Sequence, residues 1–461
     1  MLLPVPEHAT VFSLSDPFAL SAHAPENVRL PIEDDAVTPA LMSLVVLGVT
    51  FLLYVTERIP LGVTAVGACV AMALLGVVDF SVAFSGFASD VVFLVAGMVV
   101  VGTALVESGA SQLLGQALLK RAGASERGLL AVAILVAGGL SAFLNNTTVT
   151  AMFIPVIMGM AVSSQGRIRP TNLLMTIAFA TSAGGMMTLV GSTPPLIVQG
   201  VLDRAGLRPF GFFEFAWVGA PVLLILLVYS LLFGYPVTQR LLARRPAGIA
   251  ETWVAGDGTN PAPRNKRTIV VSSLVMLLCV GLFASGAIPI GLTAMLGAVL
   301  VIVGGCITDR EAYRRMDWNT VFLLAGSMGI AAGLDRSGGG RLLADLVLQS
   351  LGPRVSPFTV LAAISGLGLV LTQLTSNTAV TAMLAPIALF LSQELGVSPH
   401  PMLMAVAATC AAAFATPVGT PPNTLVLTAG YRFTDYVLVG GLLTVLSYGL
   451  VLLLVPLIWP F

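Results

Sequence analysis

Two tripeptides of side-chain amides and hydroxyls, Asn145-Asn146-Thr147 and Ser376-Asn377-Thr378, interrupt stretches of the chain that are otherwise apolar. After each, an apolar run containing proline resumes. Asn146-Thr147-Thr148-Val149-Thr150-Ala151-Met152-Phe153-Ile154-Pro155 returns as Asn377-Thr378-Ala379-Val380-Thr381-Ala382-Met383-Leu384-Ala385-Pro386, identical at seven of ten positions. Such a break sets the N-terminus of a half-helix beside neutral donors, and its unpaired N–H groups and positive dipole end attract an anion. Hydroxyl and amide groups then fix the anion's oxygens. Carbonyls freed where the preceding half-helix ends, near Ser141 and Thr372, are hard oxygens suited to Na⁺, so each break offers a cation site beside half of an anion site. Gly191-Ser192-Thr193-Pro194-Pro195 and Gly419-Thr420-Pro421-Pro422-Asn423 mark two further breaks, because paired prolines cannot continue a helix and glycine permits an unusual turn.

Other chemistries find little support. No Asp, Glu, Lys, Arg or His falls in the middle of an apolar segment, with Asp90, Glu107, Asp335 and Glu394 at segment ends, so a carboxylate proton relay at depth is not expected. No HExxH or GxSxG motif is present, and His8, His23 and His400 are the three histidines, which argues against an enzyme and against a zinc site. Cys69, Cys279, Cys306 and Cys410 lie scattered in apolar segments and read as small buried hydrophobes. No basic stripe exists to track phosphates, so nucleic acid is not an expected partner.

The elements that must hold these residues are set by hydropathy. Of 461 residues 57% are hydrophobic and 10% charged, with a mean hydropathy of +0.96, which defines a polytopic membrane protein surrounded by lipid. A span needs roughly 20 mostly apolar residues. By that measure ten spans are expected, near 38–56, 60–78, 89–107, 172–200, 214–238, 268–286, 288–308, 319–334, 401–428 and 436–459. The stretches 128–163 and 356–393 are each broken at the centre into halves too short to cross the hydrocarbon core, and are expected to be re-entrant helical hairpins. Gly329-Ile330-Ala331-Ala332-Gly333 reads as a close intramolecular helix contact rather than a dimerisation face, and Gly338-Gly339-Gly340 as a flexible helix end.

The repetition extends beyond the tips. Asp90-Val91-Val92-Phe93-Leu94-Val95-Ala96-Gly97 corresponds to Asn319-Thr320-Val321-Phe322-Leu323-Leu324-Ala325-Gly326, and Pro194-Pro195 to Pro421-Pro422. Two halves of about 230 residues therefore follow one another, and five spans between equivalent points give them opposite orientations, an inverted repeat. With both termini outside, sixteen of the 22 Lys and Arg residues fall on the cytoplasmic side. The first hairpin then enters from the cytoplasm and the second from outside. The expected organisation is an extramembrane tail (1–37), scaffold (38–127 and 268–355), transport domain (128–238 and 356–461) and cytoplasmic linker (239–267), in a prokaryotic inner membrane.

Two Ser-Asn-Thr-type tips, two Gly-Thr-Pro-Pro-type breaks and an inverted repeat together resemble the divalent anion:sodium symporter family of dicarboxylate, citrate and sulfate carriers, over about residues 38–460. The resemblance implies a homodimer working as an elevator, whose transport domain slides against a dimerising scaffold. It implies one Na⁺ near Ser141, Asn146 and Gly191 and a second near Thr372, Thr375, Asn377 and Gly419. Substrate would lie between Asn145-Asn146-Thr147 and Ser376-Asn377-Thr378, with Thr193 and Thr420 beside it. The chain departs from the family pattern at Asn145, where serine is usual, in the turn Ser192-Thr193-Pro194-Pro195-Leu196, which is one residue longer than its counterpart and has no equivalent of Asn423, and in its ten expected spans, where family members have an additional N-terminal helix. The expected activity is Na⁺-coupled symport of a small divalent anion, a C4-dicarboxylate first and sulfate second, with two or more Na⁺ and no organic cofactor. A proton-coupled antiporter, an anion exchanger or a metalloid oxyanion exporter is the alternative, and an intramembrane enzyme or receptor the distant one.

Overall fold

The computed structural model of the chain describes residues 34–113, 125–164, 167–242, 265–352 and 355–461. The expected tail, apart from its last residues, and most of the expected linker lie outside them. Among the described residues every regular element is helical. The first half comprises α1 (Asp34–Thr56), α2 (Leu61–Leu74), α3 (Asp90–Glu107), α4 (Glu126–Ser141), α5 (Asn146–Ser163), α6 (Leu174–Gly185), α7 (Thr193–Arg204) and α8 (Ala216–Leu242). The second comprises α9 (Lys266–Ser285), α10 (Ile290–Val303), α11 (Asp309–Arg315), α12 (Trp318–Ser337), α13 (Gly339–Leu351), α14 (Pro357–Leu371), α15 (Asn377–Glu394), α16 (Pro399–Ala411), α17 (Pro421–Leu427) and α18 (Phe433–Ile458).

The breaks fall where the polar residues stand. α4 and α5 are separated by 142–145, and α14 and α15 by 372–376, so Asn146 and Asn377 each open a helix. Likewise α6 and α7, and α16 and α17, are parted by segments carrying Gly191 and Gly419. In both, the first proline of the pair sits within the first turn of the resumed helix, where its missing N–H costs nothing. Among the described residues, five helices are long and apolar enough to cross a membrane: Thr38–Thr56 within α1, then α3, α8, α9 and α18. The ten expected spans are corrected accordingly. α2 and α10 are only 14 residues each, α12 is long but falls outside the apolar set, and the two Pro-Pro segments are interrupted helices rather than continuous spans.

Helices pack across the halves in matched pairs. α2 lies on α12 as α10 lies on α3, α7 lies on α15 as α17 lies on α5, and α7 meets α16 as α17 meets α6. Within each half the first hairpin helix packs on the first part of the broken helix, α4 on α6 and α14 on α16. Small residues bring these backbones together. A Cβ on Gly97 would strike the Ala294 backbone, and one on Gly326 would strike Ala65. Gly329 faces the Ala83 carbonyl and Gly333 faces Met72, so the glycine pair spaced by four makes an intramolecular contact, as expected. Gly338-Gly339-Gly340 begins at a helix end, as expected. Gly338, at φ +75°, is a left-handed cap that turns α12 directly into α13, while Gly340 gives room to the Phe390 ring.

Candidate functional site

At the first tip, Ser141 ends α4 and Asn146 begins α5, and both reach the loop before α7. The Ser141 hydroxyl and the Asn146 amide lie 2.7 Å apart. With Nδ2 turned inward, Asn146 donates to Ser141 Oγ at 2.7 Å, to the Gly191 carbonyl at 3.0 Å and to the Thr181 carbonyl at 3.1 Å. With Oδ1 turned inward, Ser141 donates to it and the amide oxygen faces the Gly191 and Thr181 carbonyl oxygens. An amide oxygen facing two carbonyl oxygens is repulsive, so the arrangement with Nδ2 inward satisfies the cluster by itself and the one with Oδ1 inward calls for a cation. Glycines make the approach possible: a Cβ at Gly185 would land on the Asn146 amide, and one at Gly191 would press on the Ser141 and Gly185 carbonyls.

Thr188 ties the loop to the hairpin, its hydroxyl donating to the Ala142 carbonyl and accepting from the Val190 and Gly191 amides. The second half repeats this design. The Thr416 hydroxyl donates to the Gln373 carbonyl at 2.7 Å, and a Cβ at Gly419 would strike the Thr372 carbonyl. Sequence reading missed Gly185, Thr181, Thr188 and Thr416. The signal for two of them was present, as Thr188-Leu189-Val190-Gly191 against Thr416-Pro417-Val418-Gly419.

Three buried oxygens near these loops have no hydrogen-bond partner: Ser192 Oγ, Thr420 Oγ1 and Asn423 Oδ1. Ser192 and Thr420 occupy the same place, directly after Gly191 and Gly419. Asn423 uses its Nδ2 on the Ala413 and Thr416 carbonyls, at 2.8 and 3.0 Å, which leaves its oxygen free. Unpartnered buried oxygens are costly unless a ligand satisfies them. Their hard-oxygen character suits a sodium-sized ion and not a soft metal.

The second tip is bonded differently. Asn377 donates its backbone N–H to the Gly419 carbonyl at 3.1 Å, and Thr378 Oγ1 donates to Asn377 Oδ1 at 3.1 Å. Thr372 Oγ1 donates to the Cys410 carbonyl. Thr375 Oγ1 and the Ser376 N–H both donate to Glu57 Oε1, at 3.0 and 2.9 Å, so an acidic side chain from the α1–α2 turn stands at this tip. Nothing in the local sequence around Glu57 signals that role.

A cavity of about 330 Å³ opens at the first tip. Asn145 and Thr148 line it from α5 and the tip, Ser192 and Thr193 from the start of α7, and Glu107, Arg315, Asp317 and Thr320 from the other side. Asn145 Oδ1 accepts from the Thr147 N–H at 2.9 Å, capping α5, while the side chain remains exposed to the cavity. Arg315 brings a basic side chain to the same cavity as Asn145. It is carried there by α11, whose Thr308 and Glu311 form a capping box, and it pairs with Glu107 at 2.6 Å. Hydrogen bonds from Thr308 hold the Glu311 carboxyl below the usual carboxylate range.

Broken apolar helices that expose carbonyls and hydroxyls beside a polar cavity define a membrane transporter rather than an enzyme. The chain belongs to the citrate transporter family, whose profile matches residues 51–409. It is 25% identical to the uncharacterized transporter YfbS of Escherichia coli K12, over 90% of this chain and 98% of that protein. It is 26% identical to the sodium-dependent dicarboxylate transporter SdcS of Staphylococcus aureus, over 88% of this chain and 84% of that one. Among solved structures, the YdaH transporter of Alcanivorax borkumensis shares the fold, with a TM-score of 0.59 at 15% identity, covering 92% of this chain and 97% of that one. The protein is therefore an integral membrane transporter of the citrate transporter family.

Proposed function

We propose that the protein is a secondary carrier coupling Na⁺ flow to uptake of a small divalent anion, with a C4-dicarboxylate as the foremost substrate and sulfate as the next. The observation that carries this reading is the duplicated oxygen cluster. In each half the C-terminal carbonyl of a hairpin helix (Ser141, Thr372) meets a glycine of a broken helix (Gly191, Gly419), beside a buried hydroxyl without a partner (Ser192, Thr420). Two such places supply two cation sites, and two positive charges offset a divalent anion. The proposed first site comprises Ser141, Asn146 and Gly191, with the Thr181 carbonyl added by geometry. The second comprises Thr372, Asn377 and Gly419, with Thr420 and Asn423 added. Thr375 is a less favourable ligand, since its hydroxyl is engaged by Glu57.

Substrate is proposed to bind through Asn145, Asn146, Thr147 and Thr193 on the first side and Ser376, Asn377, Thr378 and Thr420 on the second, entering by the cavity that Arg315 lines. The matched packing of α2 on α12 and α10 on α3 supports an inverted repeat. In this reading the scaffold is 38–127 and 268–355, and a transport domain of 128–238 and 356–461 moves against it as an elevator, in a homodimer. The sodium-dependent dicarboxylate relatives favour Na⁺ as the coupling ion.

Reconstituted protein should accumulate labelled succinate when an inward Na⁺ gradient is imposed and lose at least roughly nine-tenths of that uptake when choline replaces Na⁺. Uptake undiminished in choline rejects sodium coupling. Accumulation of sulfate but not succinate under the same gradient moves the substrate to the small oxyanion.

A further inference from the structure

Glu57 stands at a turn where the two halves differ. Glu57-Arg58-Ile59-Pro60-Leu61-Gly62-Val63-Thr64 matches Gly286-Ala287-Ile288-Pro289-Ile290-Gly291-Leu292-Thr293, with Pro60 and Pro289 preceding α2 and α10. Gly286 adopts φ +62°, a left-handed conformation natural to glycine. At the same place the first half has a glutamate at φ +47°, the one non-glycine residue with positive φ among the described residues. Since glycine satisfies this turn in the other copy, the turn itself does not call for a glutamate, and a strained side chain of this kind points to a role elsewhere.

Its carboxylate shows where. Glu57 Oε1 accepts from the Ser376 N–H at 2.9 Å and from Thr375 Oγ1 at 3.0 Å, at the N-terminal end of α15. The first tip needs no such partner, because Asn145 caps its own helix through the Thr147 N–H, whereas Ser376 provides no side-chain cap. The Ser376 N–H that Glu57 occupies is one a substrate carboxylate would seek at the second tip, and Glu57 belongs to a different helix pair. We propose that Glu57 is a tethered carboxylate seated at the second tip, which the substrate anion must displace in order to bind and which, on returning, promotes the anion's release.

This inference rests on the anion-carrier reading, and the test separates the two. A carboxylate held on the same chain reduces apparent substrate affinity by the fraction of molecules in which it is seated. Purified protein in nanodiscs with saturating Na⁺ should therefore bind succinate about fivefold more tightly, or better, after Glu57→Gly, a change the left-handed turn accommodates without strain. Glu57→Gln keeps an acceptor oxygen but removes the charge, and should gain less. In a cysteine-free background, Ser376→Cys should react severalfold faster with an anionic methanethiosulfonate once Glu57→Gly is added. Succinate affinity unchanged by both substitutions overturns the proposal. Should neither succinate, citrate nor sulfate bind any variant, the anion-carrier reading fails separately, and an unchanged labelling rate at position 376 then overturns the tethered-carboxylate inference by itself.

Discussion

The oxygens around Asn146 depend on residues with no side chain at all. Gly185 leaves room for the amide, and Gly191 lets the loop approach Ser141 so closely that a methyl group would not fit. Gly185→Ala should push the Asn146 amide out of the cluster. The Na⁺ concentration for half-maximal thermal stabilisation is then expected to rise about tenfold or more, a loss of about 1.4 kcal/mol in cation binding. Gly139 provides the control, since a Cβ there meets nothing within 4 Å, and Gly139→Ala should leave the Na⁺ titration unmoved. Equal behaviour of the two variants would remove Asn146 from the cation site. At this scale the tips, Ser141, Thr372, Gly191 and Gly419 were legible because polar residues inside apolar runs declare themselves. Glu57 and Arg315 were not, because each lies in a polar segment and reaches its tip only through tertiary packing.

Helices are positioned by the small residues along them. α12 presents Gly326, Gly329 and Gly333 to α2, where Ala65, Cys69, Met72 and the Ala83 carbonyl lie in the way of any larger side chain. Gly329→Val should thus separate α12 from α2 and the turn at Ala83, at a cost of about 1–3 kcal/mol typical of an overpacked contact. A fall in melting temperature of the detergent-solubilised protein reads that cost, and an unchanged melting temperature would show that the backbones are not in close contact there. Sequence periodicity located the long apolar helices well, since hydropathy decides them. It overestimated α2, α10 and the two Pro-Pro segments, because apolar runs continue through turns that a hydropathy count does not register. The glycine run at 338–340 was legible as a helix end, and the left-handed Gly338 that joins α12 to α13 was not.

Among the contacts that a sliding transport domain would have to break are two sets of hydrogen bonds made by charged side chains. On one face, Glu57 from the α1–α2 turn holds Thr375 and Ser376. Elsewhere, Arg204 at the end of α7 donates to Ser85 Oγ at 2.8 Å and to the Val82 carbonyl at 3.3 Å, joining the proposed transport domain to the turn between α2 and α3. A rigid carrier that merely opened and closed gates at a fixed site could keep the Arg204 contact throughout its cycle. An elevator could not, because α7 must move past α3 and α12. Ser85→Cys combined with Arg204→Cys, bridged by Hg²⁺ or a short bifunctional thiol reagent, should therefore stop gradient-driven uptake while leaving Na⁺-dependent anion binding measurable, and a thiol reductant should restore transport. Full uptake by the bridged protein would show that the two elements move together, and the division of the chain into a sliding domain and a fixed scaffold would have to be redrawn around a different boundary.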